Sequence, residues 1–410
     1  MSGIFDSILA TPEVQDAFSE RSFVDAMLRF AAALARAQAA EGLIPESAAQ
    51  SIIGTCKVEL FDVAKICRES ARAGSVAIPM VKTLKETVGL FNPEAVAWVH
   101  FGVIGQDVID TSMALVTQRA LRLIEADTRV ALDALLALAQ THEATPMLAR
   151  TLLQPASVIT FGLKCVGWAA PLARSLARLR LVSGRALQLQ LGGAVGTRAE
   201  MKAAGARVAR RMAADLSLAE PVAAWHTQRD EWVALACELG LLAGSLGKIA
   251  LDISLLSQFE VGEVAEPAVP GRGGSSTMAF KHNPVGCMVA LTAAQRAPQR
   301  VAALLAGMAQ EHERALGGWQ AELAEWPQLV MLAHGSARAM AQALSALQVH
   351  ADRMRANLES VRASLPADAA QAWFNPALVA HAAAQARAQL AGLRGAPTSE
   401  PAGEPMPEPV

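Results

Sequence analysis

The 410-residue sequence has no tyrosine, and phenylalanine and tryptophan together make up only 4% of it. So few aromatic side chains leave little material for the stacking platforms on which proteins bind unpaired bases. The 36 lysines and arginines are scattered along the chain and are balanced by 38 acidic residues. Proteins that bind nucleic acid usually concentrate positive charge on one face. The composition therefore argues against nucleic acid as a partner.

Cysteine is also scarce, and the five cysteines lie far apart without the spacing of a zinc site. They are Cys56, Cys67, Cys165, Cys237 and Cys287. An odd number of isolated cysteines is typical of buried, reduced thiols in a cytosolic protein. The first residues lack the basic and apolar regions of a signal peptide. We therefore expect a cytoplasmic protein without a disulfide framework.

No stretch of about 20 apolar residues runs without interruption, which is the length that a membrane helix needs. The mean hydropathy is nevertheless positive, at +0.28, and 52% of the residues are hydrophobic. Charged residues or glutamines interrupt the alanine-rich segments every few positions. This pattern predicts long helices that are buried on most faces and no membrane span.

Alternating β-branched runs are rare, whereas alanine and leucine are abundant, so the predicted fold class is all-α. Long helices are predicted over residues 107–143, 157–190, 227–260, 284–316 and 327–358. Because such helices exceed the usual length of about 11–12 residues, they must pack along one another in an elongated bundle. Their apolar faces are too extensive for one chain to cover, which favours a symmetric assembly of several copies.

Shorter elements flank these helices. Two helices are predicted over residues 12–42, ending at Gly42, and shorter ones up to residue 90, with breaks near Gly74 and Pro79. A further helix is expected over residues 377–393. The predicted domains are an N-terminal helical domain (1–106), a central long-helix domain (107–358), a shortened C-terminal helical segment (359–394) and a disordered tail (395–410) rich in proline and glutamate.

The strongest candidate for a functional segment is the run of residues 271–284, in which three glycines precede a polar cluster. Glycine adopts backbone conformations that other residues avoid, so a mobile loop is predicted. Ser275 and Ser276 supply hydroxyls, Lys281 a positive charge and Asn283 an amide donor. These groups suit a carboxylate substrate that gathers negative charge in the transition state. A flexible surface linker is the alternative, but linkers seldom lead directly into a new helix.

Two other polar segments precede predicted long helices. Gln106 and Asp107 stand at the beginning of one, where free backbone amides favour an anion. Simple capping of the helix by Asp107 is the alternative. Arg150, Thr151 and Gln154 are donors suited to a carboxylate or a carbonyl, although a polar loop that leads into a helix would also contain them.

A third polar segment, residues 225–230, lies at the beginning of another predicted helix. His226 by itself is more often a structural residue than a catalytic one. Arg229 could bind a carboxylate through two parallel hydrogen bonds.

The spacing Gly274-Ser275-Ser276-x-Met278-x-x-Lys281-x-Asn283-Pro284 resembles the signature of the fumarase/aspartase superfamily. The resemblance extends from about residue 5 to residue 358. It includes residues 77–82, 105–111, 150–154, 160–164, 192–197, 225–230 and 310–314. It implies an enzyme that forms a homotetramer around a core of twenty long helices, with each active site built from three subunits.

The resemblance also implies a role for individual residues. Ser275 would be catalytic, on a loop that closes over the substrate, while Lys281 and Asn283 would bind a carboxylate and stabilise its aci-carboxylate form. The implied substrate is a small polycarboxylate, and no metal or organic cofactor is implied. The substrate-binding residues would be Gln106, Asp107, Arg150, Thr151, Gln154, His226, Arg229, Ser276 and Met278.

The sequence departs from the superfamily pattern at several positions. Leu152 stands where the lyases have a histidine, which favours the cycloisomerase branch, in which a carboxylate adds internally to a conjugated double bond. Residues 103–105 read Val-Ile-Gly where Ala-Thr-Ser is usual, Ala279 replaces a proline, and Gln320 stands where a histidine is common. Two alternatives therefore stay open: a lyase or isomerase that acts on another polycarboxylate, and a paralogue that is not catalytic.

Overall fold

The structure is a computed structural model that describes residues 5–269, 271–278 and 280–395. Within these residues the chain forms fourteen α-helices and only short strands, so the all-α prediction is confirmed. The helices are α1 (Pro12–Ala17), α2 (Glu20–Ala40), α3 (Glu46–Thr55), α4 (Val63–Ala73), α5 (Ala77–Phe91), α6 (Gly105–Thr141), α7 (Phe161–Ala186), α8 (Gly205–Leu216), α9 (Asp230–Leu256), α10 (Val285–Ala306), α11 (Gly318–Ser345), α12 (Ala351–Ala363), α13 (Ala367–Trp373) and α14 (Pro376–Gly395). The strands are β1 (Pro146–Thr151), β2 (Gln154–Thr160), β3 (Val264–Ala265) and β4 (Gln348–Val349). Strands β1 and β2 form one antiparallel pair, and β3 and β4 form another.

The chain folds into two compact units, each assembled from segments that are distant in sequence. Unit 1 consists of Met1–Asp127, Arg178–Gly247 and Met288–Ala339. Unit 2 consists of Thr128–Ala177, Lys248–Cys287 and Met340–Val410. The domain boundaries expected from the sequence, near residues 106 and 358, stay a prediction.

The short N-terminal helices begin and end where the sequence indicates. The Thr11 and Ser19 hydroxyls accept hydrogen bonds from backbone amides in the first turns of α1 and α2. Gly42 and Gly74 adopt φ values of 69° and 71°, the left-handed conformation that ends a helix. The predicted break at Pro79 is wrong, because Pro79 is the third residue of α5. A proline is tolerated there since the first amides of a helix have no partner within it.

Four of the five long helices predicted from the sequence are present, but the fifth, 327–358, is wrong as a single helix, because β4 separates α11, which ends at Ser345, from α12, which begins at Ala351. Three further bounds need correction. Residues 157–160 belong to β2 rather than to α7, as their run of valine, isoleucine and threonine favours a strand. Helix α10 ends at Ala306, ten residues before the expected end. Helix α11 begins at Gly318, with Pro327 in its interior. Pro327 removes one hydrogen bond of that helix without breaking it.

The core of unit 1 contains three tryptophans from two helices and a preceding segment. Trp232 of α9 stacks on Trp326 of α11 with the ring centres 4.0 Å apart. Trp225 lies 6.0 Å from Trp232. Trp326 is completely buried, and its indole nitrogen donates to the Thr117 hydroxyl at 2.8 Å. Burial of such large side chains stabilises this end of the bundle and fixes the segment around residue 225.

In unit 2 the C-terminal helices pack on the hairpin formed by β1 and β2. Leu148 and Val158 of the hairpin share an apolar cluster with Leu358 of α12 and with Phe374, which follows α13. Helix α14 contains the predicted helix 377–393, so that prediction is confirmed. The predicted disordered tail lies outside the described residues from residue 396 onwards.

Helix α9 is the one helix within the described residues that is long and apolar enough to cross a membrane by length and composition. Glu238 and Lys248 interrupt α9, however, so no stretch of about 20 apolar residues runs through it, as expected from the sequence. Half of its most apolar window is buried inside the protein, a property that it shares with the core helices of globular proteins.

Candidate active site

Asp107 is the centre of a buried polar cluster in unit 1. Its carboxylate accepts hydrogen bonds from the backbone amides of Gly192 and Gly193, both at 2.9 Å, and lies 2.8 Å from Nε2 of His226. It also accepts from the amide of Ile104 at 3.1 Å, which caps the beginning of α6. A Cβ atom at residue 192 would lie 2.6 Å from the His226 ring, so only glycine fits there. Asp107 thus joins three segments that are far apart in sequence.

Asp110, one turn further along α6, accepts hydrogen bonds from four side chains. Its carboxylate receives Gln106 Nε2 and Gln190 Nε2, both at 3.2 Å, and the indole nitrogen of Trp319 at 2.8 Å. It also receives two hydrogen bonds from the guanidinium of Arg229, at 3.0 and 3.2 Å. Burial of a carboxylate that is 1% exposed is costly unless it is paired and hydrogen-bonded, and Asp110 has both kinds of partner.

Arg229 lies between two carboxylates and an aromatic ring. Besides Asp110, it donates through Nε to Glu322 at 3.0 Å, and a second hydrogen bond joins Arg229 Nη2 and Glu322 Oε1. The guanidinium stands 4.4 Å from the ring centre of Trp225. Burial by itself would lower the pKa of Arg229, but the two carboxylates outweigh it and raise the pKa. Burial raises the pKa of Glu322, and Arg229 opposes this effect.

The structure brings together four of the residues predicted to bind substrate: Gln106, Asp107, His226 and Arg229. All four are at most 4% exposed, and their side chains bond to groups of unit 1. Arg229 in particular is already paired with two carboxylates and cannot also bind a substrate carboxylate through parallel hydrogen bonds. The arrangement therefore favours a positioning role for these residues, and their contact with substrate stays a prediction.

Sequence reasoning missed three members of this cluster: Asp110, Gln190 and Glu322. The spacing of Asp110, three residues after Asp107 and four after Gln106, places it near both on α6. This spacing could have identified Asp110 as a member of the cluster. No pattern in the sequence connected Gln190 or Glu322 with residues 80 or more positions away.

A cavity of about 460 Å³ lies beside the first residue of α6. Lys82 and Lys85 of α5 and the imidazole of His100 line it, together with Gly105, apolar side chains and Glu86. The Nζ atom of Lys82 lies 3.9 Å from Oε1 of Glu86 in an exposed ion pair. Two lysines and a helix N-terminus make this cavity suitable for an anion. The sequence resemblance covered Lys82, but neither lysine was predicted as a site residue.

His100 of this cavity has a φ of 66°, an uncommon value for a residue other than glycine. Burial lowers its pKa to about 4; Asp107 opposes this effect and Lys85 adds to it. The imidazole is therefore neutral at pH 7 and can donate one hydrogen bond and accept another.

Acidification is expected to destabilise the protein through His100. Because its pKa falls from 6.5 when unfolded to about 4 when folded, the unfolded state binds the proton more readily. Between pH 6.5 and pH 4 the free energy of unfolding should fall by about 2–4 kcal/mol for this group. His100→Asn removes the titration and tolerates the positive φ. Urea unfolding of both proteins at pH 7 and pH 4.5 measures the difference, and identical pH dependence of the two would contradict the assignment.

The predicted catalytic loop, residues 271–284, belongs to unit 2 and is closed at its base by backbone pairing. The amide of Asn283 donates to the carbonyl of Gly273 at 2.8 Å, and Gly274 pairs with His282. Gly273 has a φ of 75°, and a Cβ there would lie 2.6 Å from the Asn283 carbonyl oxygen. The glycine therefore allows the two ends of the loop to meet. Ala279, where the family has proline, lies outside the described residues.

Within the loop, the Ser275 hydroxyl accepts hydrogen bonds from the backbone amides of Met278 at 3.1 Å and Thr277 at 3.4 Å. Ser275 is half-buried, whereas Lys281 and Asn283 are exposed. Ser276 and Met278, the loop residues predicted to bind substrate, are exposed as well. Two backbone amides directed at one hydroxyl oxygen would stabilise negative charge on it.

The remaining residues that were predicted to bind substrate lie on the hairpin of unit 2: Arg150, Thr151 and Gln154. Thr151 and Gln154 face each other across a two-residue turn and are both exposed. The expectation of a loop ahead of a helix is wrong, because these residues lie on strands β1 and β2. Arg150 donates two hydrogen bonds to the buried carboxylate of Glu263, at 2.8 and 3.0 Å. Its guanidinium is thus bound within unit 2, which favours positioning over direct binding of a substrate carboxylate.

The cysteines are free thiols; Cys165 and Cys287 are buried and the other three are half-buried. Burial raises the pKa of Cys56 to about 12, so this thiol stays protonated. Among the described residues, no group of three or more histidine, cysteine or acidic side chains is placed to hold a metal ion.

Comparison with known proteins identifies the class to which this fold and these motifs belong. The profile of the family described as Lyase matches residues 8–298. The chain therefore belongs to this family, within the fumarase/aspartase superfamily, and it is an enzyme of that superfamily.

Particular relatives are similar over most of their length. The chain is 44% identical to the 3-carboxy-cis,cis-muconate cycloisomerase of Bradyrhizobium diazoefficiens, over 90% of this chain and 82% of that protein. The crystal structure of the 3-carboxy-cis,cis-muconate lactonizing enzyme of Pseudomonas putida superposes with a TM-score of 0.83 and 40% identity, over 97% and 91% of the two chains. The nitrosuccinate lyase of Streptomyces davaonensis is 38% identical, over 95% of this chain and 83% of that protein.

Proposed function

We propose that this enzyme is a cycloisomerase that converts 3-carboxy-cis,cis-muconate to 4-carboxymuconolactone. The observation that carries the proposal is the loop that presents Ser275, Lys281 and Asn283 on a chain similar over nine tenths of its length to enzymes named for this substrate. The pattern at residue 152, leucine rather than histidine, supports the same branch of the superfamily.

The proposed reaction is an internal addition. One substrate carboxylate attacks the conjugated double bond and forms the carbon–oxygen bond of a five-membered lactone. The electron pair of that double bond moves into a neighbouring carboxylate, which becomes a dianionic aci-form. A proton then reaches the adjacent carbon and restores the carboxylate. No atom other than that proton is gained or lost.

The loop residues have distinct proposed roles in these steps. The ammonium of Lys281 and the amide of Asn283 stabilise the aci-carboxylate as its second negative charge develops. Ser275 transfers the proton, and the Met278 and Thr277 amides directed at its oxygen stabilise the alkoxide. Electrostatic stabilisation of this kind requires no metal or organic cofactor in the proposal.

A second substrate carboxylate is proposed to bind in the cavity lined by Lys82, Lys85 and His100. The superfamily usually supplies two hydroxyls at residues 104 and 105, where this chain has isoleucine and glycine. Gly105 lines this cavity without the hydroxyl that a serine would add there. Charge from the lysines can replace the hydrogen bonds of the missing hydroxyls.

The assembly proposed for the enzyme is a homotetramer with a core of twenty helices, in which three subunits contribute to each active site. Exposed apolar side chains on the long helices, such as Leu181, Leu241 and Leu305, support association. We place the enzyme in the cytoplasm and in the protocatechuate branch of the β-ketoadipate pathway.

A second candidate function is elimination from another polycarboxylate, which the similarity to a nitrosuccinate lyase supports. An elimination also passes through an aci-carboxylate, so the same Ser275, Lys281 and Asn283 would serve it. The two reactions differ in whether a bond to a leaving group breaks or a ring closes.

A direct assay separates these functions. The purified enzyme is mixed with 3-carboxy-cis,cis-muconate, and the loss of diene absorbance is followed while the lactone is identified by NMR. Nitrosuccinate serves in a parallel assay, with release of nitrite as the measured quantity. Lactone formation at a higher kcat/KM supports the cycloisomerase. Faster nitrite release would replace it with the lyase, and turnover of neither substrate would favour the non-catalytic paralogue.

A further inference from the structure

The hairpin of unit 2 ends in a turn that is unfavourable for its own sequence. Leu152 and Leu153 have φ values of 51° and 65°, and they are 97% and 74% exposed. A two-residue turn with both residues in the left-handed region strongly prefers Asn-Gly or Gly-Gly. Because leucine is disfavoured there and these two side chains are largely exposed, the geometry of the tip depends on contacts outside the turn.

One support is a chain of hydrogen bonds that leads from helix α12 to the hairpin. Asn357 of α12 donates through Nδ2 to Oε1 of Glu263 at 2.8 Å. Both Glu263 oxygens accept from Arg150, which directly precedes Thr151. Glu263 is completely buried, and its backbone is fixed as well, since its carbonyl accepts from the amide of His350. A planar guanidinium held at two points leaves little freedom to the residue beside it.

The other support is apolar. The cluster of Leu148, Val158, Leu358 and Phe374 fixes the hairpin against the C-terminal helices. The Ser157 hydroxyl also donates to the carbonyl of Trp373 at 2.9 Å. This cluster holds the base of the hairpin, whereas Glu263 holds it next to the turn.

We propose that Glu263 and Asn357 are positioning residues of the active site. They act through Arg150 to fix Thr151 and Gln154 where these meet the substrate. The inference rests on the proposed function, because it takes Thr151 and Gln154 as substrate-binding residues. In this proposal the C-terminal helices support the hairpin.

The test measures hairpin order and catalysis in the same variants. In Asn357→Ala, hydrogen–deuterium exchange of residues 146–160 is expected to accelerate about tenfold, the scale of one hydrogen bond to a charged group. KM for 3-carboxy-cis,cis-muconate should rise by a similar factor with kcat nearly unchanged, as expected when binding contacts alone are weakened. Asn357→Asp, which places a second carboxylate against Glu263, should have a larger effect at the same side-chain volume. Ser360→Ala, an exposed change on the same helix, is the matched control.

Each result of these measurements either supports or overturns the proposed positioning role. Faster exchange confined to the hairpin together with the rise in KM supports the proposal. Unchanged exchange in both Asn357 variants overturns it, as does faster exchange without any change in KM. If the parent enzyme does not turn over the substrate, the proposed function fails, and exchange in the hairpin alone then decides whether Asn357 and Glu263 support it. Should Asn357→Ala unfold, Glu263→Gln, which keeps one acceptor for Arg150, replaces it.

Discussion

Ser275→Ala is expected to reduce kcat for 3-carboxy-cis,cis-muconate by about 10²–10⁴, the usual contribution of a positioned proton-transfer group. The substitution removes the hydroxyl on which the Met278 and Thr277 amides converge and leaves Lys281 and Asn283 in place. Substrate binding should therefore persist while proton transfer fails. Steady-state kinetics by diene absorbance gives kcat, and calorimetric titration of the variant gives the affinity for substrate.

The matched control for Ser275→Ala is Thr277→Ala, which removes a hydroxyl from the same loop. The Thr277 hydroxyl lies 3.4 Å from that of Ser275 at the limit of hydrogen bonding, so its removal should change kcat little. Unfolding of Ser275→Ala is not expected, because the exposed amides of the turn can bond to water instead. Full activity in Ser275→Ala would remove Ser275 from the mechanism, and equal losses in both variants would indicate a general effect on loop structure.

Asp110→Ala is expected to lower the free energy of unfolding by about 3–5 kcal/mol, the cost of breaking a buried ion pair by removal of one partner. Arg229 would keep only Glu322 as a charged partner, and the Trp319 indole and the Gln190 amide would lose their acceptor, while the Gln106 amide would keep the His226 carbonyl. Buried donors without partners cannot recover bonds to water. Urea unfolding followed by tryptophan fluorescence is the measurement, and it reports on Trp225 and Trp319 within the cluster.

The control for Asp110→Ala removes one carboxylate from an exposed ion pair. Glu59 pairs with Arg21 at 2.5 Å, and the side chains are 67% and 59% exposed. Glu59→Ala should therefore cost only about 0–1 kcal/mol, since water screens the pair. If Asp110→Ala destabilised the protein no more than Glu59→Ala, the cluster would not be an important source of stability.

Much of the fold can be predicted from local patterns in the sequence. Long segments without proline or glycine, such as residues 107–143, predict helices because few backbone conformations compete with the helix there. The errors fall where a local signal was ambiguous. Pro327 was interpreted as a helix start, yet Trp326 beside it is completely buried in a packed helix interior. Residues 157–160 directly precede a helical stretch and were assigned to it, but Val158, Ile159 and Thr160 pair with β1.

The candidate site likewise has one part that could be predicted from the sequence and another part that could not. The Ser275 loop could be recognised from residue types and spacing because its geometry depends on glycines and on contacts within the loop itself. The environment of Arg229 could not be recognised. Nothing near it in sequence indicates that Asp110 and Glu322, 119 and 93 residues away, would pair with its guanidinium. Arg150 likewise looked like a ligand for a carboxylate, and that carboxylate is Glu263 of its own chain.

The sequence by itself determined the helical class of this protein and the loop of Ser275, Lys281 and Asn283, because helix formation and glycine-dependent turns depend on neighbouring residues. Only the tertiary structure decided which polar side chains are free for a substrate and which are bound within the protein. That distinction depends on burial and on partners brought together from distant segments. The local sequence pattern predicts neither of them.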